Sequence, residues 1–487
     1  MLVKYKPTIR AADVESSLAK IKAKKIKQIE KLDVFRIQLP KELKVGDALS
    51  TLTVDPNIEF VEPNYIYQLD VIPNDPRFSE LWGLHNTGQT GGTADADIDA
   101  PEAWDLEQGD PDVIVAVTDT GVDYNHEDLR DNMWVNTGET PGDNIDNDGN
   151  GYRDDIHGYD FIDNDSDPMD YHNHGTHVAG TIGAVGNNNI GVVGVNWNTR
   201  IMALKIFKPL ECGGVQVGNI SNAADSAEAI IYAAMNNAKV INASWGGTRE
   251  SLTIKTAIEF ANLRSVLFVA AAGNDGTDND TAPHYPANYG APPHNLPNVI
   301  AVAATDHNDD LATFPGGKGS NFGDVSVHLG APGKDILSTV IGDDYKKFMG
   351  TSMASPHVAG VAALVWAHHP GKTLSQVKNC ILNHVDVKPA LTNKVRTDGR
   401  LNASKSVRCN PSAQHSTDKP VVSAVQNFNI PKNIGYSGQL KLKYYSHFKT
   451  IGSYFVLLVL PIGFIFGWKI NIHRKSVMHA KKKKDNV

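Results

Sequence analysis

The chain has 487 residues, of which 41% are hydrophobic and 21% are charged. This ordinary globular composition excludes whole-chain disorder and collagen-like repetition. The 46 Lys and Arg residues against 55 Asp and Glu residues give a net charge of −9, with the acidic excess in the middle of the chain. An acidic middle excludes a nucleic-acid-binding core, which would need the opposite sign, so no nucleic-acid partner is expected.

The N-terminal residues 3–67 predict a small α+β unit. Apolar and alternating runs predict strands, and a Lys-rich amphipathic segment predicts a helix. The strands are expected at Leu2–Tyr5, Val34–Leu39 and Ile58–Val61, and the helix at Ala11–Ala23.

From about residue 73, β-branched runs alternate with helical segments. This alternation predicts a mostly parallel sheet covered by helices on both faces, with ligand sites at the carboxyl ends of the strands. Strands are expected at 113–117, 201–206, 240–243, 266–270 and 299–302, and helices at 223–235 and 253–263.

Three segments of this region carry groups suited to nucleophilic catalysis. Asp119 follows the strand 113–117, His174 opens a helix of small residues, and Ser352 lies at the start of another helix. A Ser hydroxyl becomes a strong nucleophile when an imidazole removes its proton and a carboxylate holds that imidazole. The chain order Asp, His, Ser is one of the orders in which such a triad occurs. The chain has no G-x-S-x-G elbow and no H-E-x-x-H zinc motif, which disfavours the α/β-hydrolase and metalloprotease interpretations.

The segments 117–123, 174–181 and 350–360 closely resemble the three active-site signatures of the subtilisin-like serine proteases, the subtilases. The resemblance covers roughly residues 73–409. It implies a three-layer α/β subtilisin-like fold with a mostly parallel central sheet. It also implies that Asp119, His174 and Ser352 are the catalytic triad and that His177 has a structural role.

The same resemblance implies further site residues. Asn274 in the segment Ala-Ala-Ala-Gly-Asn-Asp corresponds to the amide that donates to the oxyanion, a role suited to an uncharged N–H donor. The walls of the substrate cleft are expected to be Ser244, Trp245 and Gly246 on one side and Ala271 to Gly273 on the other. These small apolar walls favour neutral or hydrophobic substrate side chains and broad endopeptidase specificity.

An acidic loop after residue 145 predicts a calcium site. Oxygen-bearing side chains alternate and are followed by Gly, as in the first half of an EF-hand loop, although His157 stands where that loop needs Glu. The alternative is a solvated acidic loop. The expected ligands are Asp146, Asp148, Asn150, Tyr152 and Asp155.

A second calcium site is implied by the resemblance of residues 187–195 to a subtilase loop that binds the ion through backbone carbonyls and an Asn side chain. Its expected ligands are Asn188, Ile190, Val192 and Asp128. Calcium bound there is expected to be structural, because it binds the native loops and not the unfolded chain.

Residues 1–70 resemble the inhibitory prodomain that precedes many subtilase domains. The resemblance rests on position, size and the ending Val-Glu-Pro-Asn-Tyr at residues 61–65. It implies a zymogen whose own prodomain occupies the cleft until self-cleavage, between Tyr67 and Arg77. The catalytic domain is then expected at 73–409.

The C-terminal region predicts a spacer at 410–449, an uncharged apolar segment at 450–468 and a basic tail at 469–487. Nineteen uncharged residues suit a transmembrane helix, and the basic tail would place that tail in the cytoplasm. A sorting segment removed after export fits the same pattern. Residues 1–7 show no signal peptide, so either an export signal is missing upstream or the protein is tail-anchored.

The sequence contains three Cys residues, too few for a disulfide scaffold, although Cys380 and Cys409 could pair in an oxidising compartment. Unpaired core residues are the alternative. The predicted protein is an exported, membrane-anchored or extracellular monomeric serine endopeptidase, made as a zymogen, stabilised by Ca²⁺ and acting on proteins or peptides. The alternative is a membrane-attached binding protein on an inactive subtilase scaffold.

Overall fold

The computed structural model describes residues 1–65, 71–212 and 215–409. The predicted spacer, apolar segment and basic tail therefore lie outside the described residues. Within the described ranges, no helix combines the length and the apolar character needed to span a membrane.

The N-terminal unit is a four-stranded antiparallel sheet in the order β2-β3-β1-β4, backed by two helices. Val3, Phe35 and Ile37 point to one face of the sheet and pack with Leu18 and Leu52 of the helices to form a small separate core. The strands are β1 Leu2–Tyr5, β2 Lys24–Ile29, β3 Val34–Gln38 and β4 Ile58–Glu62, and the helices are α1 Ala11–Lys20 and α2 Val45–Thr53.

The large unit is built on a nine-stranded sheet in the order β18-β19-β15-β12-β11-β10-β5-β7-β6. Its strand pairs are parallel except for the terminal β18–β19 pair. The strands are β5 Ile114–Asp119, β6 Gly158–Asp160, β7 Arg200–Lys205, β10 Val240–Ala243, β11 Leu267–Ala271, β12 Val299–Thr305, β15 Leu329–Pro332, β18 Asp386–Val387 and β19 Gly399–Arg400. The predicted mostly parallel sheet is confirmed.

Helices cover both faces of this sheet, and alternate strand residues point to opposite sides. Leu267 and Val269 of β11 pack on the side of α4 and α7, whereas Phe268 and Ala270 pack on the side of α5 and α6. This gives three layers, as period-two alternation in a doubly covered sheet requires. The helices are α3 Ala100–Trp104, α4 His174–Gly183, α5 Ala223–Met235, α6 Leu252–Leu263, α7 Thr351–His368, α8 Leu374–Leu382 and α9 Ala403–Val407.

Three hairpins lie outside the sheet: β8 Lys208–Cys212 with β9 Val215–Ile220, β13 Thr313–Phe314 with β14 Lys318–Gly319, and β16 Ile336–Val340 with β17 Asp344–Phe348. Cys212 at the end of β8 is exposed and carries a free thiol. Cys380 and Cys409 form a disulfide that joins α8 to the residue two positions after α9.

The start of α4 lies directly against the end of β5, and Gly175 makes this contact possible. A Cβ atom on Gly175 would lie 2.0 Å from the Gly121 carbonyl oxygen and 3.0 Å from the Asp119 Cβ. A side chain at this position would therefore push α4 away from the strand that carries Asp119.

The substitution Gly175→Ala is expected to lower the free energy of unfolding by about 1–3 kcal/mol or more, because the added methyl overlaps backbone that cannot easily move. Urea unfolding measures this change. Gly371→Ala is the matched control, since a Cβ there meets nothing within 4 Å. Equal losses of stability in the two variants would contradict the steric account.

Candidate active site

The three predicted catalytic residues lie at the ends of elements that meet at one edge of the sheet. Asp119 is the last residue of β5, His174 is the first residue of α4, and Ser352 is the second residue of α7. Parallel strands end at a common edge, and α4 and α7 pack beside each other on one face of the sheet. The fold therefore gathers side chains that are 233 positions apart in the chain.

Asp119 and His174 are joined by a short hydrogen bond. His174 Nδ1 lies 2.7 Å from Asp119 Oδ1, which also accepts the Thr120 N–H at 2.8 Å. A carboxylate only accepts, so Nδ1 carries the proton and Nε2 is left as an acceptor. Asp119 is buried, whereas the His174 side chain is 25% exposed, so part of the imidazole remains accessible to solvent.

The pKa of His174 is raised above its ordinary value, although two influences act on it in opposite directions. Burial lowers the pKa, but the charge and hydrogen bond of Asp119, together with the charge of Asp170, outweigh it. The imidazolium form of His174 is thus stabilised.

Ser352 is held by contacts with the segment that follows β10. Its Oγ donates to the Ser244 carbonyl at 3.0 Å, while Ser244 Oγ donates to the Ser352 carbonyl at 2.8 Å. In the described part of the chain, the Ser352 hydroxyl is thus bonded to this carbonyl and not to His174. The structure brings the two residues to one edge of the sheet without joining them by a hydrogen bond.

Asn274 has its amide orientation set by the start of α7. Its Oδ1 accepts the Thr351 backbone N–H at 2.8 Å and the Thr351 hydroxyl at 3.1 Å. Because the carbonyl oxygen is used, the Nδ2 group is the end available to a ligand. Asn321 holds the same loop by accepting the N–H groups of Asp275 and Thr277 at 2.9 and 3.1 Å.

Asp170 supports the site and was not identified from the sequence. This buried carboxylate accepts the Thr120 hydroxyl at 2.8 Å, and its other oxygen accepts the Thr176 N–H at 3.0 Å and the Thr176 hydroxyl at 2.7 Å. It ties the turn after β5 to the first turn of α4. In an acidic chain, nothing in the sequence distinguishes Asp170 from neighbouring carboxylates.

His177 has a structural environment. Its buried Nε2 lies 2.8 Å from the Ile336 carbonyl and 3.0 Å from the Lys346 carbonyl, and its ring stacks on Phe348 at 4.5 Å. Burial lowers its pKa to about 3, although the two carbonyls raise it in part. The neutral ring therefore joins α4 to the β16–β17 hairpin.

The predicted substrate-binding residues lie in two neighbouring stretches of chain, at and after the ends of β10 and β11. Thr118, Ala243 and Ala270 are aligned across β5, β10 and β11, so the segments after β10 and β11 leave the sheet side by side. Trp245 is held there by a 3.0 Å hydrogen bond from Nε1 to Thr118 Oγ1. The buried Ala271 is the last residue of β11, and Gly273 lies in the segment that follows it. Between Gly246 and Gly273 lies the His284 ring, which the sequence did not single out.

One group of predicted calcium ligands is brought together around Asp128. Its oxygens accept Asn188 Nδ2 at 2.7 Å and the Val192 N–H at 2.9 Å. Burial raises the pKa of this carboxyl to about 7, although these hydrogen bonds lower it in part. Ile190 lies in the same loop, with its N–H donating to Asn188 Oδ1.

Asp75 is a further acid at this loop that the sequence did not identify. Its Oδ2 accepts the Asn187 N–H at 2.7 Å, whereas its buried Oδ1 has no hydrogen-bond partner among the described residues. Neighbouring bonds dock the same segment: Asn189 donates to Asn74 Oδ1, and the Arg77 N–H donates to the Gly191 carbonyl. Asp75 could not be linked to this loop from the sequence, because the two lie far apart along the chain.

The acidic loop brings together a different set from the predicted one. Oxygens of Glu139, Asp148 and Asp155 lie within 4.8 Å of one another. Asp146 instead accepts backbone N–H groups of residues 149–151, and the Tyr152 hydroxyl donates to Glu228. Asn150 Nδ2 bonds both Asp148 and Asp155. Glu139 was missed because it lies outside the alternating segment.

Comparisons with known proteins agree with this geometry. Residues 110–409 match the subtilase family, and residues 1–64 match the fervidolysin N-terminal prodomain. A thermophilic serine proteinase from Bacillus sp. (strain AK1) is 36% identical over 412 residues, covering 84% of this chain and 86% of that protein. Thermitase from Thermoactinomyces vulgaris is 37% identical over 337 residues, covering 69% and 99%.

Solved structures show the same relationship. Fervidolysin from Fervidobacterium pennivorans, described as a keratinolytic enzyme related to subtilisin, has a TM-score of 0.51 and 27% identity, covering 85% of this chain and 61% of that chain. A protease from Pseudoalteromonas arctica has a TM-score of 0.52 and 30% identity, covering 69% and 98%. The chain therefore belongs to the subtilase family and is a serine endopeptidase with a fervidolysin-type prodomain.

Proposed function

We propose that Asp119, His174 and Ser352 carry the peptide hydrolysis. The observation that supports this most directly is the 2.7 Å bond between Asp119 and His174 Nδ1, which leaves Nε2 as an acceptor, while Ser352 lies in the first turn of α7, the helix that packs against α4. In each cycle, His174 removes the Ser352 proton as the Oγ attacks the peptide carbonyl carbon. It then gives that proton to the leaving amine, and water releases the acyl group by the same route.

Asn274 is proposed to stabilise the oxyanion with its Nδ2, together with the Ser352 backbone N–H at the start of α7. Unsatisfied N–H groups at a helix N-terminus favour negative charge. Removal of one such donor typically lowers kcat about 10²- to 10³-fold. The retained set of Asp119, His174, Ser352 and Asn274 argues against the alternative of an inactive binding protein.

The N-terminal unit is proposed to act as an intramolecular inhibitor that the enzyme removes itself. The resemblance to a fervidolysin-type prodomain supports this role. Export from the cell is proposed because a relative from Natrialba magadii is described as an extracellular serine protease. Membrane attachment through residues 450–468 and a monomeric state remain predictions.

Ser352→Ala is expected to abolish peptide hydrolysis and to leave the purified chain unprocessed, because the substitution removes the proposed nucleophile. Intact mass spectrometry and a peptide assay measure both effects. Ser50→Ala, an exposed residue of α2, is the control and should process normally. Processing of pure Ser352→Ala protein would contradict self-cleavage.

The rate is expected to fall at low pH as His174 becomes protonated and can no longer accept the Ser352 proton. Because the pKa of His174 is raised, the midpoint of kcat/KM should lie above the ordinary value of about 6.5. Asp119→Asn removes the raising charge, so its midpoint should move to lower pH while the rate falls about 10⁴-fold. An identical midpoint in both proteins would exclude His174 as the base held by Asp119.

Two structural calcium sites are proposed, one at Asp75 and Asp128 with the loop at 188–192, and one at Glu139, Asp148 and Asp155. Clustered oxygen ligands suit this hard cation. The unpartnered, buried Asp75 Oδ1 supports the first site, and the close approach of three acids supports the second.

Addition of Ca²⁺ is expected to raise the melting temperature relative to chelator, since each site contributes about 2.7 kcal/mol when Ca²⁺ exceeds Kd a hundredfold. Asp128→Asn and Glu139→Gln should each remove part of this response. Asp131→Asn, whose side chain is 75% exposed, is the matched control. Equal melting temperatures of the parent enzyme with chelator and with Ca²⁺ would refute the calcium proposal.

A further inference from the structure

The His284 ring is wedged between the two segments that flank Ser352. A Cβ atom on Gly246 would lie 2.5 Å from His284 Nε2, and one on Gly273 would lie 3.0 Å from His284 Nδ1. A side chain at Gly246 or Gly273 would therefore crowd the His284 imidazole. The ring spans the space between the segment after β10 and the segment after β11.

The ring nitrogens of His284 have no hydrogen-bond partner among the described residues, although its backbone N–H donates to Asn288 Oδ1 at 2.9 Å. The residue is partly exposed, and neither ring nitrogen is among the buried polar atoms without a partner. The imidazole therefore has solvent-accessible polar atoms that the described residues do not satisfy.

This space is next to the reacting atoms. Ser244 lies two positions before Gly246 and exchanges two hydrogen bonds with Ser352. Each hydroxyl donates to the backbone carbonyl of the other residue. Asn274, which directly follows Gly273, accepts a hydrogen bond from the Thr351 N–H. An acyl carbon attacked by Ser352, with its oxygen towards Asn274, would direct its own side chain towards these two segments, where the end of that side chain would meet the His284 ring. That side chain belongs to P1, the residue on the amino side of the cleaved bond.

We propose that His284 is the specificity-determining residue at the base of the P1 pocket and that it selects P1 side chains with an uncharged polar end, such as the carboxamide of Gln. This inference rests on the proposed function of Ser352. It narrows the expectation of a pocket for neutral or hydrophobic side chains, because the walls are small but the group between them is an imidazole.

The charge state of His284 favours this class of substrate. Burial lowers its pKa, and the Asp275 carboxylate raises it only in part. Asp275 is itself 56% exposed and paired with Lys318 at 3.2 Å, which weakens its field. A neutral imidazole has one donor and one acceptor. An apolar P1 side chain would cover these groups without pairing them, which is the arrangement that discriminates most strongly between substrates.

The test compares matched peptides that differ only in P1, with Gln or Leu, by kcat/KM at about pH 8, where imidazole is neutral. The parent enzyme is expected to prefer Gln by about tenfold or more. His284→Leu, of similar size without polar atoms, should reverse the preference, and His284→Gln should restore part of it. His368→Ala, a His substitution outside the cleft, is the control and should keep the parent ratio.

Equal kcat/KM for the two peptides in the parent enzyme, or an unchanged ratio in His284→Leu, would overturn the assignment of His284. Thermal unfolding of each variant separates misfolding from altered selectivity, and the parent ratio is decisive even if a variant does not fold. A parent enzyme that cleaves no peptide refutes the proposed function instead, which distinguishes the two failures.

Discussion

The parallel, in-register pairing of β5, β10 and β11 is the constraint on which the site depends. Thr118, Ala243 and Ala270 lie at the same level of the sheet, so the three following segments leave it together. Backbone hydrogen bonds set this level and do not depend on the side chains. The two helices α4 and α7 then add an imidazole and a hydroxyl to an edge that already carries a carboxylate and two cleft walls.

Buried negative charge is compensated in two different ways. Near the C-terminal end of the large unit, the fully buried Arg400 pairs with Asp309 at 2.8 Å and Asp386 at 2.6 Å. The carboxylates of Asp75 and Asp128 have no such cation among the described residues, and burial raises the pKa of both. Buried charge is stable only when it is paired. The acids around Arg400 are paired within the protein, whereas Asp75 and Asp128 are suited to a bound ion.

The sequence predicted the elements whose signals are local. Strands of the parallel sheet are runs of β-branched and small residues, and the helices 223–235 and 253–263 have clear periodicity. The predicted bounds of these helices agree with the structure to within one residue, and those of the strands to within three. Strand β2 was missed because its sequence Lys-Lys-Ile-Lys-Gln-Ile lies mostly exposed at a sheet edge and lacks alternation. The short strands β18 and β19, two residues each, depend on pairing and have no local pattern.

The site residues divide in the same way. Asp119, His174 and Ser352 stand in distinctive motifs, and the fold brings them to one edge. Asp170 and His284 act through contacts with residues far along the chain or through space left by glycines. Such roles are properties of the folded surface, so no spacing in the sequence could reveal them.

The docking of Asn74 and Arg77 on the loop at 187–191 has a consequence for the lifetime of the enzyme. A protease in solution meets other copies of itself, and it cuts segments that open locally while the rest stays folded. Residues 74–77 hydrogen-bond to this loop, whereas Val71 is bonded to Asp105 and packs against the large core. Loosening of the loop would therefore expose residues 74–77 first, so resistance to self-digestion depends on the opening of a surface loop as well as on the stability of the core.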